Sequence, residues 1–173
     1  MKNILVKYSI IALLFFVFSL IQAAFLPFFS IMGQFPNLVF ILFYLILFFD
    51  ENEESFFWAV MAGFLLDISL PSFFGISIIS LLILYLFKKV LHYFVKDIQG
   101  KYFIVYFIVL FSVNFLIYNC LIYIASLIFG FQFTVSLALI VALIYNIAFL
   151  LPGFYIYTFL AKPDYLDNQL KLI

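Results

Sequence analysis

The chain has 173 residues, of which 69% are hydrophobic, 24% aromatic and only 9% charged. Soluble domains are nearer half apolar and a quarter charged, so a water-soluble core of this size cannot hide so much Phe, Ile and Leu, and the solvent must be lipid. Net charge is zero, arginine is absent and no basic cluster suited to phosphates occurs, which argues against a nucleic-acid partner. One cysteine, Cys120, excludes an internal disulfide and a cysteine-based metal site. Lying in an apolar run, it is expected to be a small buried residue.

The first segment, MKNILVKYSIIALLFFVFSLIQAAFLPFF, starts positive and continues apolar, as a signal peptide does. The run extends to about residue 29 and no clean small-x-small cleavage site follows the lysines, so a retained membrane helix over about 4–26 is expected. Near its end Gln22, Ala23 and Ala24 allow a close helix contact. A second span is expected over about 33–49, with Pro36 in its first turn, where the missing N–H is no loss. The third, about 55–70, is stopped by Pro71, and the fourth covers about 75–90. The fifth, about 102–129, is long enough to tilt. The sixth, about 133–160, contains Pro152-Gly153, where a kink or break is expected. Each segment qualifies, or nearly so, against the roughly 20 apolar residues that a spanning helix needs. None alternates like a membrane β-strand.

Lysine placement tests this count. With six spans, one side carries the N-terminal tail, the loop DENEE at 50–54, the segment from Lys88 to Lys101 and the C-terminal tail; these hold two, none, four and two lysines, which is all eight. The loops on the other side hold none. Cytoplasmic loops are enriched in lysine, and acidic residues barely affect orientation. The expected fold is therefore an all-α integral membrane protein, one domain of six transmembrane helices with both termini cytoplasmic.

Asp67, within GFLLDISLPSFFG, is the acid buried deepest in apolar sequence. A mid-helix Asp costs about 3 kcal/mol on insertion, and each Leu, Ile, Phe or Val returns about 0.3–0.6. The third span has eight such residues, so it is marginal alone and is expected to insert as a hairpin with the fourth. Pro71 cannot donate to the carbonyl of Asp67, so a carboxylate and a free carbonyl share one helix end. Ser69, Ser72 and backbone N–H groups of the turn are near enough to satisfy them. Helix locking, a ligand or proton site, and exposure at the outer interface all fit the residues.

The fifth span carries Ser112, Asn119 and Ser126 at intervals of seven, one face of a helix packing at a 3.5-residue period, with Asn114 off that line. The sixth carries Ser136, Ala138, Ala142, Asn146 and Ala148. Small and amide residues on membrane helices mark helix–helix contact with modest hydrogen bonds; a solute pathway is the alternative. His92 beside Lys88 and Lys89 reads as a headgroup-level residue. Trp58, Tyr93 and Tyr102 fit an interfacial aromatic belt. No HExxH, GxSxG or second membrane acid to pair with Asp67 occurs, so no enzyme, metal or cofactor is expected.

In order, the chain offers a first helix, FPNLVFILFYLILFF, a polar inner loop, and AVMAGFLLDISLPSFFGISIISLLILYLFKK. This resembles the MreD family, bacterial rod shape-determining membrane proteins. Pro36, Asn37 and Leu38 match its Pro-Asp/Asn-Leu opening. Gly63, Asp67 and Gly75 match its Gly-x-x-x-Asp segment and following glycine. The resemblance covers about residues 30–95. It implies a non-enzymatic scaffold of the wall-elongation complex in the bacterial inner membrane, binding MreC and coupling MreB filaments to RodA and penicillin-binding protein 2. The family is similar in fold to the substrate-binding S-components of energy-coupling-factor vitamin transporters, which supplies an alternative in which Asp67 contacts a vitamin. A vitamin pocket needs several convergent polar groups. The outer halves read as offering Asp67, a few serines, Gln22, Gln132 and few others, which favours the scaffold.

Overall fold

A computed structural model describes residues 2–49, 54–69, 74–95, 103–130 and 137–161. Among these are six α-helices and no strand: α1 (Lys2–Ala24), α2 (Leu38–Phe49), α3 (Ser55–Ser69), α4 (Ile76–Val95), α5 (Phe103–Phe129) and α6 (Ala138–Ala161). A 3-10 turn, Leu26–Phe29, follows α1. Three stretches are long and apolar enough to cross a membrane, Val6–Ala24, Ile104–Phe129 and Ala138–Ile156, and they mark the chain as a membrane protein by length and composition. α2 and α3 have 12 and 15 residues, about 18 and 22 Å at 1.5 Å per residue, short of a roughly 30 Å hydrocarbon layer.

α2 is the axis of the bundle. It is apolar on all sides, and a helix of that kind belongs inside; every residue from Val39 to Leu47 is buried. α1, α3 and α6 lie against its backbone. α5 meets it through rings: Phe40 against Phe111, Phe115 and Tyr118, and Tyr44 against Phe107 and Phe111, at centroid separations of 5.0–5.9 Å. Such pairs add about 0.5–1.5 kcal/mol each beyond their area. The Tyr44 hydroxyl donates to the carbonyl of Phe107 at 3.0 Å, so its burial leaves no unpaired polar atom there.

α2 begins at Leu38, not near residue 33 as the sequence suggests, and Pro36 lies before the helix and not in its first turn. The reason is Asn37, whose Oδ1 accepts the N–H of Phe40 at 2.9 Å, an N-cap bond that fixes the start. Ahead of it, Ile31 and Gln34 exchange both backbone hydrogen bonds at 2.9 Å around Met32 and Gly33, whose φ values are 53° and 73°. That is the two-residue turn in which both central residues take the left-handed conformation.

Other expectations also shift. α6 runs through Pro152-Gly153 without a break; the proline ring faces outward and Gly153 faces Leu45 of α2. Cys120 is exposed on the outside of α5, not buried. Trp58 is buried, stacked on Phe15 at 5.8 Å and tilted against Tyr8 at 6.0 Å, so it fastens α1 to α3 and is not a belt residue. Ala23, Ala24 and Ala148 are exposed. Pro71, Ser72, Gln132, Ser136, Tyr102 and the side chains of His92 and Tyr93 lie outside the described residues.

Candidate functional site

Two polar centres occupy the end of the bundle where α1 and α3 finish and α2 and α4 begin. The first is the α3–α4 joint. Asp67 is only 4% exposed. Its Oδ2 accepts the N–H of Gly75 at 2.7 Å and its Oδ1 accepts the N–H of Ser77 at 2.8 Å. Both donors belong to the start of α4, where N–H groups lack helical partners and the helix dipole favours a negative charge. Ser69 does not join this network; its hydroxyl donates to Leu65 within its own helix at 2.8 Å. Gly75 has φ +103°, a conformation that suits glycine. One turn before Asp67, Gly63 lies so close to α4 that a Cβ there would sit 2.4 Å from the Ile78 Cα. Gly63, Asp67 and Gly75 thus share one joint: close approach, cap and turn.

The second centre is the start of α2, whose first N–H groups face three carboxamides. Gln22 of α1 accepts from Val39 at 3.2 Å, Asn37 from Phe40, and Asn146 of α6 accepts from the backbone of Asn37 at 2.9 Å. Gln22 is 5% exposed and Asn146 is 1% exposed. These bonds fix the amide orientations, because only the oxygen can accept. The NH2 of Asn146 then donates to Ala142 at 2.7 Å. Around them is a cavity of about 310 Å³, with Gln22, Gln34, Asn37, Ser69, Asn119 and Asn146 as polar lining and the rings of Phe35, Phe115 and Tyr118 among its walls. Tyr118 joins the two centres: its hydroxyl lies 3.3 Å from that of Ser77, whose N–H is held by Asp67.

The serine and asparagine stripe of α5 behaves differently from its expected role. Ser112, Asn114, Asn119 and Ser126 each donate to a carbonyl of their own helix, three or four residues back. Among the described residues none bonds across to another helix. Asn114, off the seven-residue line, is more buried than Asn119, and its Oδ1 is buried without a partner.

In the sequence Gln22 reads as part of a helix contact and as one of the few polar groups of the outer halves, Asn146 belongs with the small and amide residues of α6, and Gln34 and Tyr118 have no role. Carboxamides on separate elements do converge here, contrary to the expectation of few polar groups at this end. A signal was present: Gln34 and Asn37 immediately precede a fully apolar helix too short to hide its own N-terminus. At the opposite end of the bundle, Tyr8 donates to Glu54 and Lys7 lies 3.5 Å from the same carboxylate, tying α1 to the start of α3. Among the described residues no cluster of His, Cys, Asp and Glu is arranged to hold a metal ion. Comparison with protein-family models, curated proteins and solved structures returned no match to this chain.

Proposed function

We propose that the chain is a non-enzymatic scaffold of the bacterial cell-wall elongation complex, a multi-pass inner-membrane protein of six spans with both termini in the cytoplasm. In this reading it binds MreC and couples MreB to RodA and penicillin-binding protein 2, maintaining rod shape. The observation that carries it is the α3–α4 joint. Gly63, Asp67 and Gly75, the second of the two elements that carry the MreD resemblance, all serve architecture there: one permits backbone contact, one caps, one turns. A carboxylate with each oxygen held by a backbone N–H is a lock. It positions a helical hairpin for a partner.

The six-span reading gains support from α2. A helix buried from Val39 to Leu47 at the centre of the bundle packs against α1, α5 and α6, which are long and apolar enough to cross a membrane, and this supports the short helices sharing a layer with the long ones.

The test is purification of the tagged protein from its native membrane in mild detergent, followed by mass spectrometry of what accompanies it. MreC, RodA or penicillin-binding protein 2 is expected. Recovery instead of an ATPase pair with a transmembrane coupling subunit would overturn the scaffold in favour of a vitamin-transporter subunit.

A further inference from the structure

We infer that the cavity at the start of α2 is a binding site for a small uncharged molecule that presents an oxygen acceptor on one side and a hydrogen-bond donor on the other. The inference rests on the cavity alone and not on the scaffold reading.

Three features of the lining specify the ligand. The Gln22 oxygen is committed to Val39 and the Asn37 oxygen to Phe40. Their NH2 groups have no partner among the described residues, and both residues line the cavity. Gln22 is buried to 5% exposure, so its free NH2 has the cavity as its outlet. These two donors sit at the positive end of a 12-residue helix, which also favours an acceptor oxygen. Asn119 supplies the complement. Its NH2 is committed to Phe115 at 2.8 Å, leaving its oxygen as an acceptor. The walls include the rings of Phe115 and Tyr118, which suit a flat or apolar body.

No charged side chain lines the space, and an unpaired charge in an apolar setting is costly. That selects a neutral ligand. The volume, about 310 Å³, is at the small end of ligand pockets, roughly 300–1,000 Å³. Primary carboxamides and small alcohols have this chemistry, and so does the neutral head of a diacylglycerol, with its free hydroxyl as donor and its ester carbonyls as acceptors. One source is the aqueous phase and the other is the bilayer.

The probe is 4-fluorobenzamide, with fluorobenzene and 4-fluorobenzoate as controls. Each is titrated into the full-length protein in phosphatidylglycerol–phosphatidylethanolamine nanodiscs and followed by fluorine NMR relaxation. Saturable binding of the amide is expected, with only non-saturable partitioning of fluorobenzene and no binding of the benzoate. Asn119→Leu removes the acceptor without disturbing any bond between helices, so it should weaken amide binding about tenfold with the emission of Trp58 unchanged. Gln34→Ala, in the turn before α2, serves as a second cavity variant with its backbone bonds intact, and it should weaken binding too. Repeating the titration in discs doped with diacylglycerol separates the sources. Displacement of the amide assigns the site to a bilayer lipid, and its persistence assigns it to a solute; both support the site. Absence of saturable amide binding, equal binding by Asn119→Leu, or tighter binding of the benzoate would overturn the inference. None of those failures changes what co-purifies with the protein, so the scaffold reading is judged separately.

Discussion

Two glycines and one acid make sharply different demands at the residue scale. At Gly63 an added methyl would meet the Ile78 backbone at 2.4 and 2.7 Å, and backbone cannot step aside. At Gly153 the nearest atom is the end of the flexible Leu45 side chain, at 3.2 Å. Gly63→Ala should therefore force α3 and α4 apart and cost about 2–3 kcal/mol, whereas Gly153→Ala should cost less than about 1 kcal/mol because one side chain yields. Thermal unfolding of the two variants in one detergent checks this; equal losses would remove the close-approach argument. Asp67 uses both oxygens, one for each of two N–H groups. Asn keeps one acceptor and turns an NH2 toward the other N–H, so Asp67→Asn should fold but lose about 1.5–3 kcal/mol, the value of one bond to a charged group. Asp67→Leu loses both bonds and should destabilise more, while its insertion improves. Stability of Asp67→Leu equal to the parent, in the same unfolding assay, would show that the cap does not hold the joint.

At the element scale the contrast is between two asparagines weighed alike in the sequence. Asn146 of α6 accepts from the first turn region of α2, 109 residues away along the chain. Asn119 of α5 bonds only within its own helix. Asn146→Leu should leave the part-buried Asn37 N–H without its partner and cost about 1–3 kcal/mol; Asn119→Leu should be nearly neutral for folding. Denaturant titration followed by Trp58, the single tryptophan, reads both, because that ring is packed between Tyr8 and Phe15 and reports the α1–α3 seam. Existence and order of the helices were legible from the apolar runs alone. The start of α2 was not, because it depends on which oxygen caps which N–H. Cys120 and Trp58 were misplaced for a related reason. In a chain with apolar residues on every helix face, periodicity does not separate the inward face from the outward one. The joint of Gly63, Asp67 and Gly75 was legible because short-range spacing governs it. The cavity was not, since its amides come from α1, α5, α6 and the turn before α2.

The whole molecule turns a broad apolar surface outward. On α1, residues including Ile10, Leu13, Phe16 and Leu20 are more than half exposed, and only one face of the helix, with Phe15 and Gln22, enters the bundle. A surface of this kind is expected against lipid or a partner helix. Cys120 belongs to that outer surface, and as the sole thiol it reports the surroundings of α5. In native membranes a membrane-impermeant charged maleimide should leave it unlabelled, because the reactive thiolate does not form in hydrocarbon, and the same reagent should label it once the membrane is dissolved in SDS. Rapid labelling by the charged reagent would place the middle of α5 in water and contradict the six-span arrangement.

The walls of α2 impose an order on synthesis. α2 leaves the ribosome before α3 to α6 and is the helix the rest of the core surrounds, yet α5 stacks on it and α6 caps it only after about a hundred further residues have been made. A chain stopped before Asn146 holds an inner helix with an unsealed end and no partner for Leu45 or Phe49 on that side. Because the distant contacts close last, the newly made core remains recognisably unfinished, and open to membrane proteases, until α6 docks.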